Sequence, residues 1–173
     1  MTGSVCIRRA VESDCATICA IDVRSRRWGY RNLLPNDALA RLSPEEREPT
    51  WRQALSPTST HRVWIAERES RGEGFNAWGP PRDADVHQLT AELYALYLEQ
   101  DAAGTGIAHL LLGAALCEMR EHGYERAVLW VLEANLRARR FYERSGWAHD
   151  GMWKIINRCG VDLKSIRYAI LVP

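Results

Sequence analysis

Two nearly continuous apolar stretches, at residues 91–98 and 126–132, dominate the second half of the chain. Stretches of this kind are typical of strands covered on both faces of a sheet. After each one the apolar residues recur with a helical period, over 106–123 and 135–146. The hydrophobic pattern therefore predicts two consecutive strand–helix units.

Shorter elements precede these two units. Pro35 argues against a continuous helix through the Arg-, Trp- and Tyr-rich stretch 24–35. The predicted elements are a strand at 5–10, a helix capped by Ser13 or Asp14, a helical turn at 39–42, and a helix that starts at Pro44 and ends by Pro57.

A hairpin is predicted between the N-terminal segment and the first apolar stretch, with strands at 62–67 and 74–78. Two last strands are predicted around 152–156 and 165–172. Antiparallel strands thus come first, then the strand–helix units, then strands again. We expect a single domain over residues 1–173 of the α/β class, with a mixed, mostly antiparallel central sheet flanked by helices.

Composition narrows the class of partner. The chain has 173 residues, 46% hydrophobic and 26% charged, as in an ordinary soluble globular domain. Its formal net charge is +1, and Lys and Arg alternate with Asp and Glu. A nucleic-acid binder usually carries a basic stripe, so no nucleic-acid partner is predicted.

The cysteines and the hydropathy bear on location. Five cysteines are scattered without a C-x-x-C pair, so we predict free thiols, no metal site and a cytoplasmic protein. Residues 1–8 lack the apolar core of a signal peptide. Because no window reaches the roughly 20 apolar residues needed to cross a bilayer, no membrane association is predicted.

A Gly-rich turn lies between the first apolar strand and its helix, over Ala103, Gly104, Thr105, Gly106, Ile107 and Ala108. Backbone N–H groups at such a turn point outward at the positive end of a helix, where phosphate oxygens bind readily. The alternative is a tight turn with no ligand. A nucleotide-triphosphate loop and a dinucleotide fold are both excluded, because neither fingerprint is present.

These stretches resemble the Gcn5-related N-acetyltransferase (GNAT) family. Residues 92–98, followed by Gly104-Thr105-Gly106-Ile107-Ala108, are similar to motif A of that family. Residues 129–135, followed by 138–143 and Gly146-Trp147, are similar to its motif B. Both motifs occur in the right order, and the resemblance covers essentially the whole chain.

The resemblance implies acetyl-CoA as the acetyl donor. In the family, motif A's turn binds the pyrophosphate through backbone N–H groups, here those of residues 103–108. Ala103 stands where the family usually has Arg or Gln, and Arg137 or Arg139 could supply the missing charge. Asn135 matches a residue that contacts the pantetheine arm. A backbone N–H near a β-bulge at Tyr97 or Leu98 is expected to polarise the acetyl carbonyl.

Two side chains match the family's acid and base. Tyr142 stands where family members often carry a Tyr that protonates the CoA thiolate; the alternative is a purely structural core aromatic. Glu92 stands where they often place a base that deprotonates the amine, directly or through water. A buried Glu in an apolar strand is costly unless it is paired or functional, so the alternatives are an Arg-paired Glu or one at the strand's exposed start.

The acceptor is expected to be an amine-bearing small molecule or peptide. In the family its pocket is built partly by the segment between the first two helices. Trp28 and Tyr30 in that segment could flank a cationic acceptor by cation–π contact, or Trp28 could pack on the sheet. A homodimer is left open. The rival function is a non-catalytic acetyl-CoA-binding sensor or assembly domain, which Ala103 favours.

Overall fold

Within residues 3–173, which the computed structural model describes, the chain forms seven strands. They are β1 (Cys6–Arg9), β2 (Arg62–Arg68), β3 (Arg71–Gly79), β4 (Thr90–Leu98), β5 (Arg126–Leu132), β6 (Ala148–Arg158) and β7 (Val161–Leu171). They make one sheet in the order β1-β2-β3-β4-β5-β7-β6.

The helices flank this sheet. They are α1 (Cys15–Gly29), α2 (Asn36–Arg41), α3 (Pro44–Leu55), α4 (Ile107–Glu121) and α5 (Leu136–Arg144), with a 3-10 turn at Glu12–Asp14 before α1. The start of α3 follows from its sequence, because the Ser43 hydroxyl accepts from the Glu46 amide and Pro44 occupies the first helical position.

All strand pairs are antiparallel except one. β4 and β5 run parallel and pair only from Thr90↔Arg126 to Leu93↔Leu129. The predicted α/β class with a mixed, mostly antiparallel sheet is therefore confirmed. Both strands continue past this short ladder, to Leu98 and Leu132, without pairing to each other. A gap consequently opens in the middle of the sheet, between the C-terminal ends of the parallel strands β4 and β5.

Each face of the sheet carries its own core. α4 and α5 cover one face, with Leu112, Ala115, Met119, Tyr142 and Trp147 packed on β4, β5 and β7. α1 and α3 cover the other, with buried Ile18, Trp51 and Phe75. Because apolar residues are needed on both faces, the central strands read as continuous apolar runs.

The boundaries differ most from those expected in two places. α1 continues to Gly29 through the stretch where an irregular segment was predicted, because Pro35 lies beyond the turn that follows the helix. The final hairpin is longer than its apolar pattern, and its tip is a tight turn with positive φ at Cys159 (54°) and Gly160 (79°). Near that tip the strands are largely exposed, so the sequence carries no apolar signal. Over residues 3–173, no helix is long and apolar enough to cross a membrane.

Candidate active site

A cavity of about 620 Å³ fills the gap between β4 and β5 and reaches both faces of the sheet. This volume lies within the usual range for small-molecule sites. The predicted site residues that line it are Trp28, Tyr30, Tyr97, Leu98, Ala103, Gly104, Ala108, Asn135 and Tyr142. A second cavity of about 520 Å³, beside Val11 and Pro57, contains none of them.

The Gly-rich turn forms the cavity wall at the start of α4. Gly104 and Gly106 have φ of 80° and 92°, which only glycine adopts easily, and an added Cβ at either would meet no atom within 4 Å. Across the described part of the chain, no acceptor bonds the amides of Gly104, Gly106, Ile107 or Ala108. The turn thus offers open backbone donors at the positive end of a 15-residue helix.

Three residues of the predicted turn, Thr105, Gly106 and Ile107, are not among the residues that line the cavity. The Thr105 hydroxyl donates to the Ala102 carbonyl at 2.7 Å, and the Ile107 side chain is fully buried in the core. Gly106 is the N-cap of α4. Thr105 and Ile107 can therefore contribute to a ligand site only through their backbone.

Tyr142 packs as a core aromatic and also belongs to the cavity lining. Its ring is 9% exposed and packs edge-on against Phe141 and Trp147, with centroids 5.2 and 5.9 Å away. Its hydroxyl has no hydrogen-bond partner between residues 3 and 173. Burial, aided by the nearby Tyr97, raises the pKa of Tyr142 well above its usual value. The phenol is consequently a protonated donor at neutral pH.

The bulge in β4 lies at Tyr94, not at Tyr97 or Leu98 as predicted. Ala95 pairs with Ala77 and Leu93 with Trp78, so Tyr94 is the extra residue. The Tyr94 hydroxyl donates to the Pro80 carbonyl. This contact ties the bulge to the loop after β3.

Leu98 faces the cavity with its backbone, but both of its polar groups have partners. Its amide donates to the Ser25 hydroxyl at 3.3 Å, and its carbonyl accepts from Trp28 Nε1 at 3.1 Å. A ligand that uses the Leu98 amide must displace Ser25. Asn135 caps α5 by accepting from the Ala138 amide at 3.2 Å and also lines the cavity.

Glu92 is buried beside Arg82, outside the cavity lining. The Arg82 amide donates to Glu92 Oε2 at 2.8 Å, and the guanidinium donates to Oε1 from Nε at 3.1 Å and from a second nitrogen. The side chain of Glu92 is 1% exposed. Of the alternatives raised for Glu92, this geometry matches the Arg-paired one, because both oxygens are already bonded and neither faces the cavity.

Arg139, predicted to bind the cofactor, lies outside the cavity lining. Its guanidinium donates to the Tyr168 hydroxyl and to the Glu133 carbonyl, both at 3.1 Å. Four other arginines line the cavity instead: Arg137, Arg140, Arg144 and Arg158. None of these four bonds a carboxylate anywhere in the described chain, and none of the described lining residues is Asp or Glu.

Trp28 and Tyr30 already form cation–π contacts with arginines of the protein. The guanidinium of Arg137 lies 3.8 Å from the Trp28 ring centroid, and that of Arg158 lies 5.8 Å from the Tyr30 centroid. Trp28 therefore both packs on the sheet and forms a cation–π contact, but with the protein's own arginine in place of a ligand.

The comparison with known proteins agrees with this geometry. A model of the acetyltransferase (GNAT) family matches residues 28–147. The uncharacterized N-acetyltransferase YuaI of Bacillus subtilis (strain 168) is 30% identical over 132 residues, which cover 76% of this chain and 73% of that protein. The chain therefore belongs to the acetyltransferase (GNAT) family, and the resemblance of its two motifs is confirmed.

Solved structures share the fold. The PaiA N-acetyltransferase of Thermoplasma acidophilum, in complex with coenzyme A, has a TM-score of 0.69 at 21% identity, covering 94% of this chain and 98% of that one. The structure of YncA from Salmonella typhimurium with its cofactor acetyl-CoA has a TM-score of 0.73 at 20% identity, covering 98% and 95%. The predicted fold family is confirmed by these superpositions.

Sequence reasoning missed most of the cavity's arginines. Arg137, Arg140 and Arg144 recur at helical spacing, which would have placed them on one side of α5. Arg158 gave no such signal, because it reaches the cavity only through the path of the β6–β7 hairpin.

Proposed function

We propose that the protein transfers the acetyl group of acetyl-CoA to a primary amine of a small molecule or peptide. The observation that carries this proposal is the set of unbonded amides at Gly104, Gly106, Ile107 and Ala108, beside a cavity that Tyr142 lines. Helix N-termini with free amides are natural phosphate sites.

The residues present suit the donor. The turn would hold the pyrophosphate through its amides, and Arg140 and Arg144 of α5 offer the charge that Ala103 lacks. Before Leu98, whose amide and carbonyl are already bonded, the facing edges of β4 and β5 do not pair with each other and are available to an extended pantetheine arm. The side-chain NH2 of Asn135 is also available, since only its oxygen caps α5. Acetyl-CoA supplies the thioester that the amine attacks.

Tyr142 is the proposed general acid. In the reaction a C–N bond forms and the C–S bond breaks, and the departing thiolate takes a proton from the Tyr142 hydroxyl, which solvent then restores. A tyrosine is already protonated at neutral pH at its usual pKa of about 10, and burial raises the pKa of Tyr142 further. General acid–base steps of this kind typically contribute about 100- to 10,000-fold to the rate.

The amine must lose a proton before or during the attack, because an alkylammonium has a pKa near ~10.4. The pairing of Glu92 with Arg82 leaves it without direct access to the cavity. A base role for Glu92 would therefore require a relay of water molecules, and it stays a prediction that a pair of variants can test.

The rival function is a non-catalytic domain that binds acetyl-CoA. Thiol release from acetyl-CoA across a mixed panel of amines, with a no-amine control, separates the two. Amine-dependent release supports the enzyme, whereas tight acetyl-CoA binding without release from any amine would support the sensor. A cytoplasmic location remains part of the proposal and rests on the five free cysteines.

A further inference from the structure

Three of the four arginines that line the cavity lie at two different ends of it. Arg140 and Arg144 lie on the last turns of α5, on the cavity wall shared with α4, which also carries the phosphate turn. Arg158 lies at the end of β6 and reaches over Tyr30, beyond the C-terminus of α1. Because Tyr97, the neighbour of Tyr30, belongs to the core on the α1 face, the Arg158 end opens on the face opposite α4 and α5.

Arg158 carries a charge that the protein does not neutralise. Its Nε atom is buried and has no hydrogen-bond partner among residues 3–173. Its neighbour Arg26, which lies over the Tyr97 ring, is by contrast paired with the buried Asp22. A buried donor without a partner costs free energy that a ligand can recover by accepting a hydrogen bond from it.

The surrounding tyrosines do not supply the missing anion. The Tyr30 and Tyr97 hydroxyls lie 3.5 Å apart. Burial, followed by the nearby Tyr97, raises the pKa of Tyr30 above its usual value even though Arg158 and Arg26 act in the other direction. Tyr30 is therefore neutral at neutral pH, and the positive charge of Arg158 faces the cavity uncompensated.

We infer that the acceptor is a small amine that also carries an anionic oxygen group, a carboxylate or a phosphate, bound by Arg158 beside Tyr30. This inference rests on the proposed acetyl transfer. A planar guanidinium binds such groups through paired hydrogen bonds. Arg137, stacked on Trp28 at the same side of the cavity, adds a second cation and disfavours polyamines.

Matched acceptors test the charge requirement. Glycine, β-alanine and longer ω-amino acids are each compared with their carboxamides, and aminoethyl phosphate with ethanolamine, by thiol release from acetyl-CoA. We expect kcat/KM to favour the anionic member of at least one pair by about tenfold or more, as one strong charge-assisted contact gives. The preferred pair identifies carboxylate or phosphate as the recognised group.

Variants tie the preference to Arg158. Arg158→Gln should raise KM for the anionic acceptor about tenfold and leave KM for acetyl-CoA unchanged, while Arg158→Lys keeps part of the preference. The control is Arg126→Gln, an exposed arginine outside the cavity. Melting curves of each variant check folding.

Three results would overturn the inference. Equal or better turnover of the neutral amines in every pair would refute it and leave acetyl transfer standing. An Arg158→Gln enzyme that keeps the wild-type preference for the anionic acceptor would do the same. If no amine is acetylated although acetyl-CoA binds, both the inference and the proposed function are wrong.

Discussion

Glu92 is bonded through both carboxylate oxygens to one residue, Arg82, which donates from its backbone amide at 2.8 Å and from its guanidinium. Arg82 stands on the loop between β3 and β4, and its side chain is 63% exposed while that of Glu92 is 1% exposed. The pair therefore fixes the loop to the first part of β4, just before the Tyr94 bulge that lines the cavity.

A comparison of Glu92→Gln with Arg82→Gln separates a base from an anchor. Both variants break the ion pair, so we expect each to lose about 2 kcal/mol of stability, or roughly 4–8 °C in Tm for a domain of this size. We also expect kcat to stay within about tenfold of wild type in both, below the effect of a lost general base. Thermal unfolding and steady-state kinetics provide the two readouts.

The base hypothesis makes a different forecast for the same pair. Arg82→Gln keeps the carboxylate, so only Glu92→Gln would then lose turnover by about 100-fold or more. The pH–rate profile of Glu92→Gln would also lose its acidic limb. That result would establish Glu92 as the base and contradict the anchoring role.

Gly106→Val tests the phosphate turn. The φ of 92° at Gly106 strains any β-branched residue, so a matched control is needed. Gly123→Val supplies it, because Gly123 has φ of 81°, also has nothing within 4 Å of an added Cβ, and lies after α4 at its other end. We expect acetyl-CoA affinity, measured by calorimetry, to fall at least about tenfold in the first variant only, a loss of about 1.4 kcal/mol.

Ala103→Arg restores the residue type that the family usually has at the turn. Ala103 is exposed and lines the cavity, so the new guanidinium can reach a bound phosphate. We expect KM for acetyl-CoA to fall by up to about fivefold, since an exposed ion pair contributes at most about 1 kcal/mol. Ala40→Arg, on the exposed side of α2, should leave KM unchanged. A higher KM in Ala103→Arg would place the phosphates elsewhere.

Asp22 ties α1 to α3 and gives the fold a pH dependence. Its fully buried carboxylate accepts from Arg26, from Arg47 at 2.7 Å and from Trp51 at 2.8 Å. Burial alone would raise the pKa of Asp22, but the two guanidiniums outweigh it and lower the pKa below its usual value. A lowered folded-state pKa contributes stability above the unfolded-state pKa and loses it as pH falls.

Asp22→Asn should therefore cost about 3–5 kcal/mol at pH 7, the effect of leaving buried charges unpaired. The difference from wild type should narrow as the pH falls below about 4, the pKa of an Asp in the unfolded chain, because the unfolded wild type then takes up a proton that the folded protein binds only at lower pH. Asp37→Asn is the control, because Asp37 pairs with Arg41 with both side chains 71% exposed, and it should cost less than about 1 kcal/mol. Denaturant unfolding at neutral and acidic pH measures both; a gap for Asp22→Asn that is independent of pH would contradict the assignment.

Some of these features were predictable from sequence and others were not. The strand–helix units were predictable, because strands buried on both faces must be apolar throughout. The turn was predictable because glycines such as Gly104 and Gly106 readily adopt positive φ. The partner of Glu92 was not, since it depends on the path of the loop that carries Arg82. The bulge at Tyr94 leaves no mark in a run of apolar residues, and the place of Arg158 follows from the length of a hairpin whose tip is exposed.

Tyr142→Phe tests the proposed general acid. The substitution keeps the ring that packs on Phe141 and Trp147 and removes only the hydroxyl, which has no partner within the described chain. The fold should therefore keep its stability. If the hydroxyl protonates the departing thiolate, kcat should fall at least about tenfold while KM for acetyl-CoA changes little.

If Tyr142 is only a core aromatic and not the general acid, the opposite result is expected. Because the hydroxyl makes no protein contact, its removal would then leave turnover intact. Tyr97→Phe is the matched control, since Tyr97 also lines the cavity and loses only a hydroxyl, one that lies 3.5 Å from that of Tyr30. Pre-steady-state kinetics must first show that chemistry, and not product release, limits the rate. Wild-type turnover of Tyr142→Phe under that condition would refute the acid role. Only water could then protonate the thiolate in the variant, and water would serve the wild type equally well.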